Sequence, residues 1–200
     1  MMKLKTILLG TAVASVTLFA SSNLVQAQVC TRLDEVPPVK QTRIIRNDSY
    51  GYRFSIPQNY RSMAFRSNTV LIFDPGTFEV AQCYVRTKAP TELPSGISVY
   101  ATPVNPGNRS VAALVRQNNP TIGNIPTIEN IENTRVANQT AVSYTSNNQG
   151  YQRSVSFFTP NRRYMITVST PFNLEQGRPT TIFNKEVFDR VLSSFTFGRS

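Results

Sequence analysis

The chain contains no histidine, the side chain that enzymes use most often as a general base near neutral pH. Its absence excludes Ser-His and Cys-His nucleophile systems and removes the commonest transition-metal ligand. Two cysteines cannot build a structural zinc site alone, and the sequence has no glycine-rich phosphate loop or dinucleotide fingerprint. We therefore expect a non-enzymatic protein with no catalytic residues, no cofactor and no bound metal.

Carboxylates are the remaining candidates for catalysis, because a glycosidase needs only two acids. Asp74 and Glu79 lie five positions apart, but Asp74 is better explained as the first residue of a turn and Glu79 as a solvated strand residue. Asp34 and Glu35 are adjacent near the N-terminus, without the spaced oxygen ligands of a calcium loop. A secreted carboxylate-dependent hydrolase is the alternative function that these residues leave open.

Five arginines are the candidate docking residues. Arg43 and Arg46 flank a short apolar pair, Arg53 projects from the polar face of the next predicted strand, and Arg162 and Arg163 begin a later one. A guanidinium group donates hydrogen bonds in a planar fork, which suits carboxylate, sulfate and phosphate groups. The alternative is that these arginines are scattered over a solvated surface and form no patch.

The first 27 residues have the three parts of a cleavable secretory signal. Lys3 and Lys5 are followed by an uncharged, mostly apolar stretch over residues 7–20 and by small residues at 25 and 27. This pattern predicts cleavage after Ala27. The apolar stretch is shorter than the roughly 20 residues that a membrane-spanning helix needs. A retained membrane anchor is therefore the less favoured alternative. We expect an extracytoplasmic protein, in a periplasm or thylakoid lumen or secreted.

The sequence contains two cysteines, Cys30 and Cys83. An even number of cysteines in a chain that is predicted to be exported predicts a disulfide between them. The bond would close a loop of roughly 50 residues and stabilise the fold by about 4 kcal/mol. Two buried free thiols are one alternative. The lipid-bearing cysteine of a bacterial lipoprotein is another, although Val29 stands where that signal requires a small residue.

The chain is basic, with 21 Lys and Arg against 11 Asp and Glu. Loss of the predicted leader removes Lys3 and Lys5, and the remaining 19 basic residues give a net charge of +8. This balance favours an acidic protein face or an anionic membrane or polysaccharide surface as the partner. Predicted export argues against nucleic acid as the partner. The alternative is that the positive charge serves only to keep the protein soluble.

Short runs of β-branched and aromatic residues, bounded by Asn, Gly, Pro and Ser, predict mainly strands after an N-terminal arm over residues 28–41. The runs 69–73 and 78–86 are predicted to form a hairpin through the turn at 74–77. One helix is predicted after Ser110, and a second over residues 183–195, whose apolar residues recur at helical spacing. The other predicted strands cover residues 52–56, 97–101, 130–136, 140–145, 151–159 and 163–170.

Two blocks of this sequence resemble PsbP-like domains, a family that includes an extrinsic subunit of photosystem II. Tyr-Gly-Tyr-Arg-Phe-Ser-Ile-Pro at 50–57 is similar to their opening strand. Residues 163–171, followed by a helix ending at 191–195, are similar to their last strand and C-terminal helix. The resemblance covers about residues 42–198. It implies an α+β fold in which a mostly antiparallel sheet is flanked by helices, with a C-terminal amphipathic helix.

We therefore expect a signal peptide over residues 1–27, an arm over 28–41 and a single domain over 42–200. The resemblance also implies an accessory protein that docks on an anionic partner or membrane complex, for example a photosystem. An envelope protein that binds a ligand in a groove between helix and sheet is a further alternative.

Overall fold

The computed structural model describes residues 30–31, 34–88, 92–120, 127–147 and 150–198. The predicted signal peptide and its cleavage site lie outside these ranges. Within the described ranges, no helix combines the length and apolar character that crossing a bilayer requires.

The described residues form eleven strands and three helices, which alternate unevenly along the chain. In order they are β1 (Thr42–Asn47), β2 (Tyr52–Pro57), β3 (Arg61–Phe65), β4 (Thr69–Phe73), α1 (Pro75–Thr87), β5 (Ile97–Pro103), α2 (Val111–Asn118), β6 (Ile128–Val136), β7 (Gln139–Ser146), β8 (Gln152–Phe158), β9 (Tyr164–Glu175), β10 (Arg178–Ile182), α3 (Lys185–Ser194) and β11 (Thr196–Phe197).

The strands form two sheets. The large sheet has the order β3-β4-β5-β9-β8-β7-β6, with β10 paired to β9, and the small sheet has the order β1-β2-β11. Every described strand pairing is antiparallel. The predicted α+β class is therefore confirmed, with a mostly antiparallel sheet, flanking helices and a C-terminal amphipathic helix.

The small sheet and α3 cover one face of the large sheet. Alternation in β2 turns Tyr52, Phe54 and Ile56 inward, as the sequence predicts, and all three are buried. Phe195, which directly follows α3, packs among aromatic rings at the centre of this layer. Its ring centroid lies 5.1 Å from that of Tyr52 and 5.0 Å from that of Phe157 of β8. This cluster joins the small sheet to the large one.

Helix α2 covers the opposite face of the large sheet. Its buried residues, Val111, Leu114 and Val115, have the spacing that the sequence predicts for an inward stripe. The Ser110 hydroxyl accepts a hydrogen bond from the Ala113 N–H at 3.2 Å and caps the helix. The protein thus has three layers: α2, the large sheet, and the small sheet with α3.

The predicted hairpin over residues 69–86 is wrong in its second half, which is helix α1. Asp74 adopts an extended conformation, and its Oδ1 accepts hydrogen bonds from the N–H groups of Gly76 at 3.0 Å and Thr77 at 3.3 Å. Pro75 fits the first helical position because its missing N–H would have no partner there. Residues that suit a tight turn therefore start a helix.

The disulfide between Cys30 and Cys83 is confirmed, with the two Cα atoms 5.8 Å apart. Because Cys83 lies in α1, the bond attaches the N-terminal arm to a helix and not to the predicted hairpin. The Val36 N–H also donates to Asp74 Oδ1 at 3.3 Å, so the arm shares the cap of this helix. A disulfide is the expected state of two cysteines in an oxidising compartment.

Three strands, β3, β10 and β11, were not predicted from the sequence. Strand β3 pairs with β4 along its whole length. Strand β9 was predicted to end at residue 170 but continues to Glu175. Gln176 and Gly177 both have positive φ and turn the chain into β10. The resulting β9–β10 hairpin is exposed from residue 173 to 181.

Candidate functional site

The structure brings two of the predicted docking arginines together. Arg46 of β1 and Arg53 of β2 are directly opposite each other in the antiparallel register, and both are exposed. Like charges in this position destabilise a strand pair. The Arg53 Nε donates a hydrogen bond to the Thr196 hydroxyl at 3.1 Å, and no ion pair among the described residues involves either arginine.

The surface around this pair is the outer side of the small sheet. Ile44 and Ser55 are the next register pair on the same side, and the Ile44 side chain is 64% exposed. We call Ile44, Arg46, Arg53, Ser55 and Thr196 the basic sheet face. It combines two positive charges with an exposed apolar side chain and hydroxyl groups.

Arg43 does not belong to the basic sheet face, because residues three apart in a strand point to opposite sides. It is opposite Ile56, which is fully buried, and its own side chain is partly buried. The Arg43 Nε is buried without a hydrogen-bond partner among the described residues. Burial, with a smaller contribution from the positive charge of Arg61, lowers the pKa of this guanidinium.

Arg162 lies on the other side of the large sheet. It has a φ of 55° in the turn before β9, and its Nη2 donates to the Arg109 carbonyl at 2.9 Å. Its Cζ is 4.7 Å from the ring centroid of Phe158, which belongs to the core beneath α2. The Arg163 side chain is exposed, and its carbonyl accepts a hydrogen bond from the Val104 N–H. The structure therefore separates Arg162 from the basic sheet face.

The candidate catalytic acids do not form a pair. Asp74 is 1% exposed, and its Oδ1 accepts three backbone hydrogen bonds, whereas Glu79 is exposed on α1. Asp34 and Glu35 lie in the arm. Across the part of the chain that the structure describes, no group of three or more acidic, histidine or cysteine side chains could hold a metal ion.

A groove of about 490 Å³ separates α3 from β6, β7 and β8. Its walls include the apolar side chains of Val155, Phe188 and Leu192. Arg153 forms an ion pair with Glu132 at 3.4 Å on the same groove. A second ion pair, between Lys185 and Asp189, lies on the helix side. The groove lies between a helix and the sheet. This is the position expected for the alternative function, an envelope protein that binds a ligand.

A larger cleft, of about 570 Å³, lies between α1, the arm and the base of the β9–β10 hairpin. This cleft could not be predicted from the sequence, because α1 and the part of β9 after residue 170 form its walls, and neither was predicted. The one signal in the sequence was Asp74-Pro75, which is also typical of a helix N-terminus.

Comparison with known proteins identifies no matching family model and no matching curated protein. Among solved structures, the chain is similar to cyanobacterial PsbP (CyanoP) from Synechocystis sp. PCC 6803, with 14% identity and a TM-score of 0.44 over 80% of this chain and 94% of that one. It is also similar to a protein from Bacteroides thetaiotaomicron, with 8% identity and a TM-score of 0.41 over 75% of this chain. This chain spans 46% of the Bacteroides protein's length. Membership of the PsbP-like family remains a prediction from the sequence.

Proposed function

We propose that this protein is an exported, non-enzymatic accessory protein whose basic sheet face docks on an acidic protein surface. The observation that carries the proposal is the cross-strand pair of Arg46 and Arg53. Two like charges held opposite each other are unfavourable in the free protein. An anionic partner placed over both side chains removes this repulsion and gains charge-assisted hydrogen bonds.

A protein partner fits this face better than a lipid surface does. Polybasic segments that bind anionic lipids carry 4–8 basic residues, whereas the basic sheet face carries two arginines. Arginine is enriched at the centres of protein interfaces and binds carboxylates in a bidentate manner. The exposed Ile44 beside the pair supplies apolar area for the same contact. Following the PsbP-like resemblance, the proposed partner is an acidic face of a membrane complex in the periplasm or thylakoid lumen.

The test is a charge reversal, Arg46→Glu with Arg53→Glu, in mature protein incubated with native membranes. Captured partners are identified first, and association rates are then measured with the isolated partner at several salt concentrations. We expect the reversal to lower the association rate by at least about tenfold at low salt, because complementary charges act mainly on encounter. Thermal stability should change little, because exposed charges contribute little to folding.

The matched control is Arg116→Glu with Arg178→Glu, which makes the same change in net charge at two exposed positions outside the small sheet. A third variant, Arg162→Glu with Arg163→Glu, tests the remaining candidate residues. Equal loss in all three variants would show that net charge alone drives association. Undiminished binding of the Arg46 and Arg53 variant, persisting in about 1 M salt, would refute docking through this face.

Ligand binding in the groove beside α3 is the second candidate function. Its apolar walls suit the body of a small ligand, since ligand pockets are mostly apolar with few polar groups. The charged side chains of Arg153, Glu132, Lys185 and Asp189 are already paired with one another. The arginines of the basic sheet face have no such ion pairs among the described residues, so the docking function is preferred.

A further inference from the structure

A cavity of about 410 Å³ lies beside the start of α2, on the side of the large sheet that this helix covers. The segment before α2 contributes Asn108 and Arg109, the start of β7 contributes Gln139 and Thr140, and the turn before β9 contributes Arg162. The volume is within the range of about 300–1,000 Å³ that small-molecule sites occupy. The cavity is separate from the basic sheet face, which belongs to the small sheet.

The charge of this cavity is entirely positive. Arg109 and Arg162 are its charged lining residues, and no Asp or Glu is among the lining residues that the structure describes. Neither arginine takes part in an ion pair within the described ranges. The hydrogen bonds that the two guanidinium groups donate go to carbonyl groups and to one side-chain amide, all of which are neutral. An anion in the cavity would therefore supply the counter-charge for both arginines.

The Arg109 guanidinium is held in place before any ligand binds. Its Nε donates to the Pro106 carbonyl at 3.2 Å and its Nη2 to the Asn105 carbonyl at 2.7 Å, while its Nη1 donates to the Gln117 side chain of α2. Each of the two Nη atoms keeps a second N–H. A side chain that is already ordered loses little conformational entropy when it binds a ligand. Arg109 thus provides a positive charge that is fixed at the cavity.

Arg162 has the hydrogen-bonding capacity to bind an oxyanion. Its guanidinium is positioned by the Phe158 ring, 4.7 Å from the Cζ, and by the Nη2 hydrogen bond to the Arg109 carbonyl at 2.9 Å. A guanidinium group presents two forks of parallel N–H groups, and Nη2 contributes one hydrogen to each fork. Because Nη2 uses one hydrogen for the carbonyl, one fork remains complete. Such a fork matches two oxygens of a carboxylate or a phosphate.

The other lining residues indicate a hydroxylated ligand. Four of them carry uncharged hydrogen-bonding side chains: Asn108, Ser110, Gln139 and Thr140. Apolar surface is limited, because Val111 and Phe158 are buried and only Pro160 is exposed. Hydroxyl groups on a ligand would find partners in this lining, whereas a large apolar body would not be covered. We propose that this basic cavity binds a small hydroxylated anion, a sugar acid or sugar phosphate, whose oxyanion contacts Arg162 and Arg109.

The test is an NMR titration of the isotope-labelled mature protein with glucuronate, glucose 6-phosphate and glucose. The three probes share a sugar ring and differ at one carbon, which carries a carboxylate, a phosphate or a hydroxyl group. We expect the anionic probes to cause saturable shifts of the amide signals of residues 108–111, 139–140 and 162, with a dissociation constant on the order of millimolar for the tighter one. The anion that binds more tightly identifies the oxyanion. Glucose should bind at least about tenfold more weakly, because it lacks the charge-assisted hydrogen bonds.

Variants locate the site. Arg162→Gln removes the charge and the fork and should weaken binding of the tighter anion by about tenfold. Arg162→Lys keeps the charge without the fork and should weaken it by about threefold. Arg163→Gln is the matched control, because it makes the same charge change at the next residue, which is exposed and is not among the lining residues. Thr140→Phe keeps both arginines but places a ring at an exposed lining position, and should abolish binding.

Three results would overturn the proposal. Equal affinities for glucose and for both anions would show that the basic cavity does not select an oxyanion. Equal weakening by Arg162→Gln and Arg163→Gln, or by neither, would show that net charge or another group is responsible. Saturable shifts confined to another surface, or no shifts with either anion, would show that the cavity is not the site. None of these results depends on Arg46 or Arg53, so this proposal and docking through the basic sheet face fail independently.

Discussion

Asp74→Ala is the substitution that most directly tests how α1 and the arm are held. The Asp74 Oδ1 accepts hydrogen bonds from Gly76 and Thr77 in the first turn of α1, and from Val36 in the arm. One carboxylate oxygen thus caps a helix and ties a separate segment to it. Alanine removes all three bonds from a residue that is 1% exposed.

The expected loss of stability is about 2 kcal/mol. Removal of an N-cap costs about 1 kcal/mol, and the lost bond to the Val36 N–H adds about 0.5–1.5 kcal/mol. An opposing contribution comes from Asp74 Oδ2, which is buried without a described partner, because its removal relieves a desolvation penalty. Asp74→Asn keeps an acceptor oxygen at the cap, so we expect it to cost about half as much as Asp74→Ala.

Urea unfolding of the oxidised protein measures the difference. With a slope of about 2 kcal/mol per molar urea, a loss of 2 kcal/mol lowers the midpoint by about 1 M. The control is Ser110→Ala, which removes one capping hydrogen bond at the exposed start of α2 and should cost about 0.5–1 kcal/mol. The reasoning fails if Asp74→Ala costs no more than Ser110→Ala, or if asparagine is as damaging as alanine.

Two further predictions concern the disulfide and the buried tyrosines. Replacing Cys30 and Cys83 with serine should lower the free energy of unfolding by about 4 kcal/mol, because the bond joins residues 53 positions apart. The measurement compares the urea midpoints of the variant and of the oxidised protein. The oxidised protein should contain no free thiol. Burial raises the pKa of Tyr52 and of Tyr144 to about 12, so absorbance titration should show a tyrosine fraction ionising near pH 12. The folded protein keeps these two protons to a higher pH than the unfolded chain does. Their contribution to the free energy of unfolding is therefore fully present below about pH 10 and is lost as the pH rises to 12. A single tyrosine transition near pH 10 in folded protein would contradict it.

Much of the fold was predictable because local signals and tertiary packing agree. Strand β2 alternates apolar and polar residues, and the apolar spacing of α3 matches the stripe that packs on the sheet. Helix α1 was not predictable in this way. An Asp-Pro-Gly sequence suits both a tight turn and a helix N-terminus, and residues 78–86 are rich in residues that favour strands. Packing of Val80, Ala81 and Cys83 against the strands decides between the two structures.

The candidate sites were less predictable than the fold because each depends on pairing across the chain. Arg43 and Arg46 look like a pair in the sequence, yet their spacing of three places them on opposite sides of β1. The partner of Arg46 is Arg53, and only the register of the β1–β2 hairpin shows this.

The cleft between α1, the arm and the end of β9 depends on longer-range contacts still. A disulfide, a helix and an extended strand bring Glu35, Tyr84 and Leu174 to one cavity, although these residues are far apart in the sequence. Its walls could be predicted only after α1 and the full length of β9 were known.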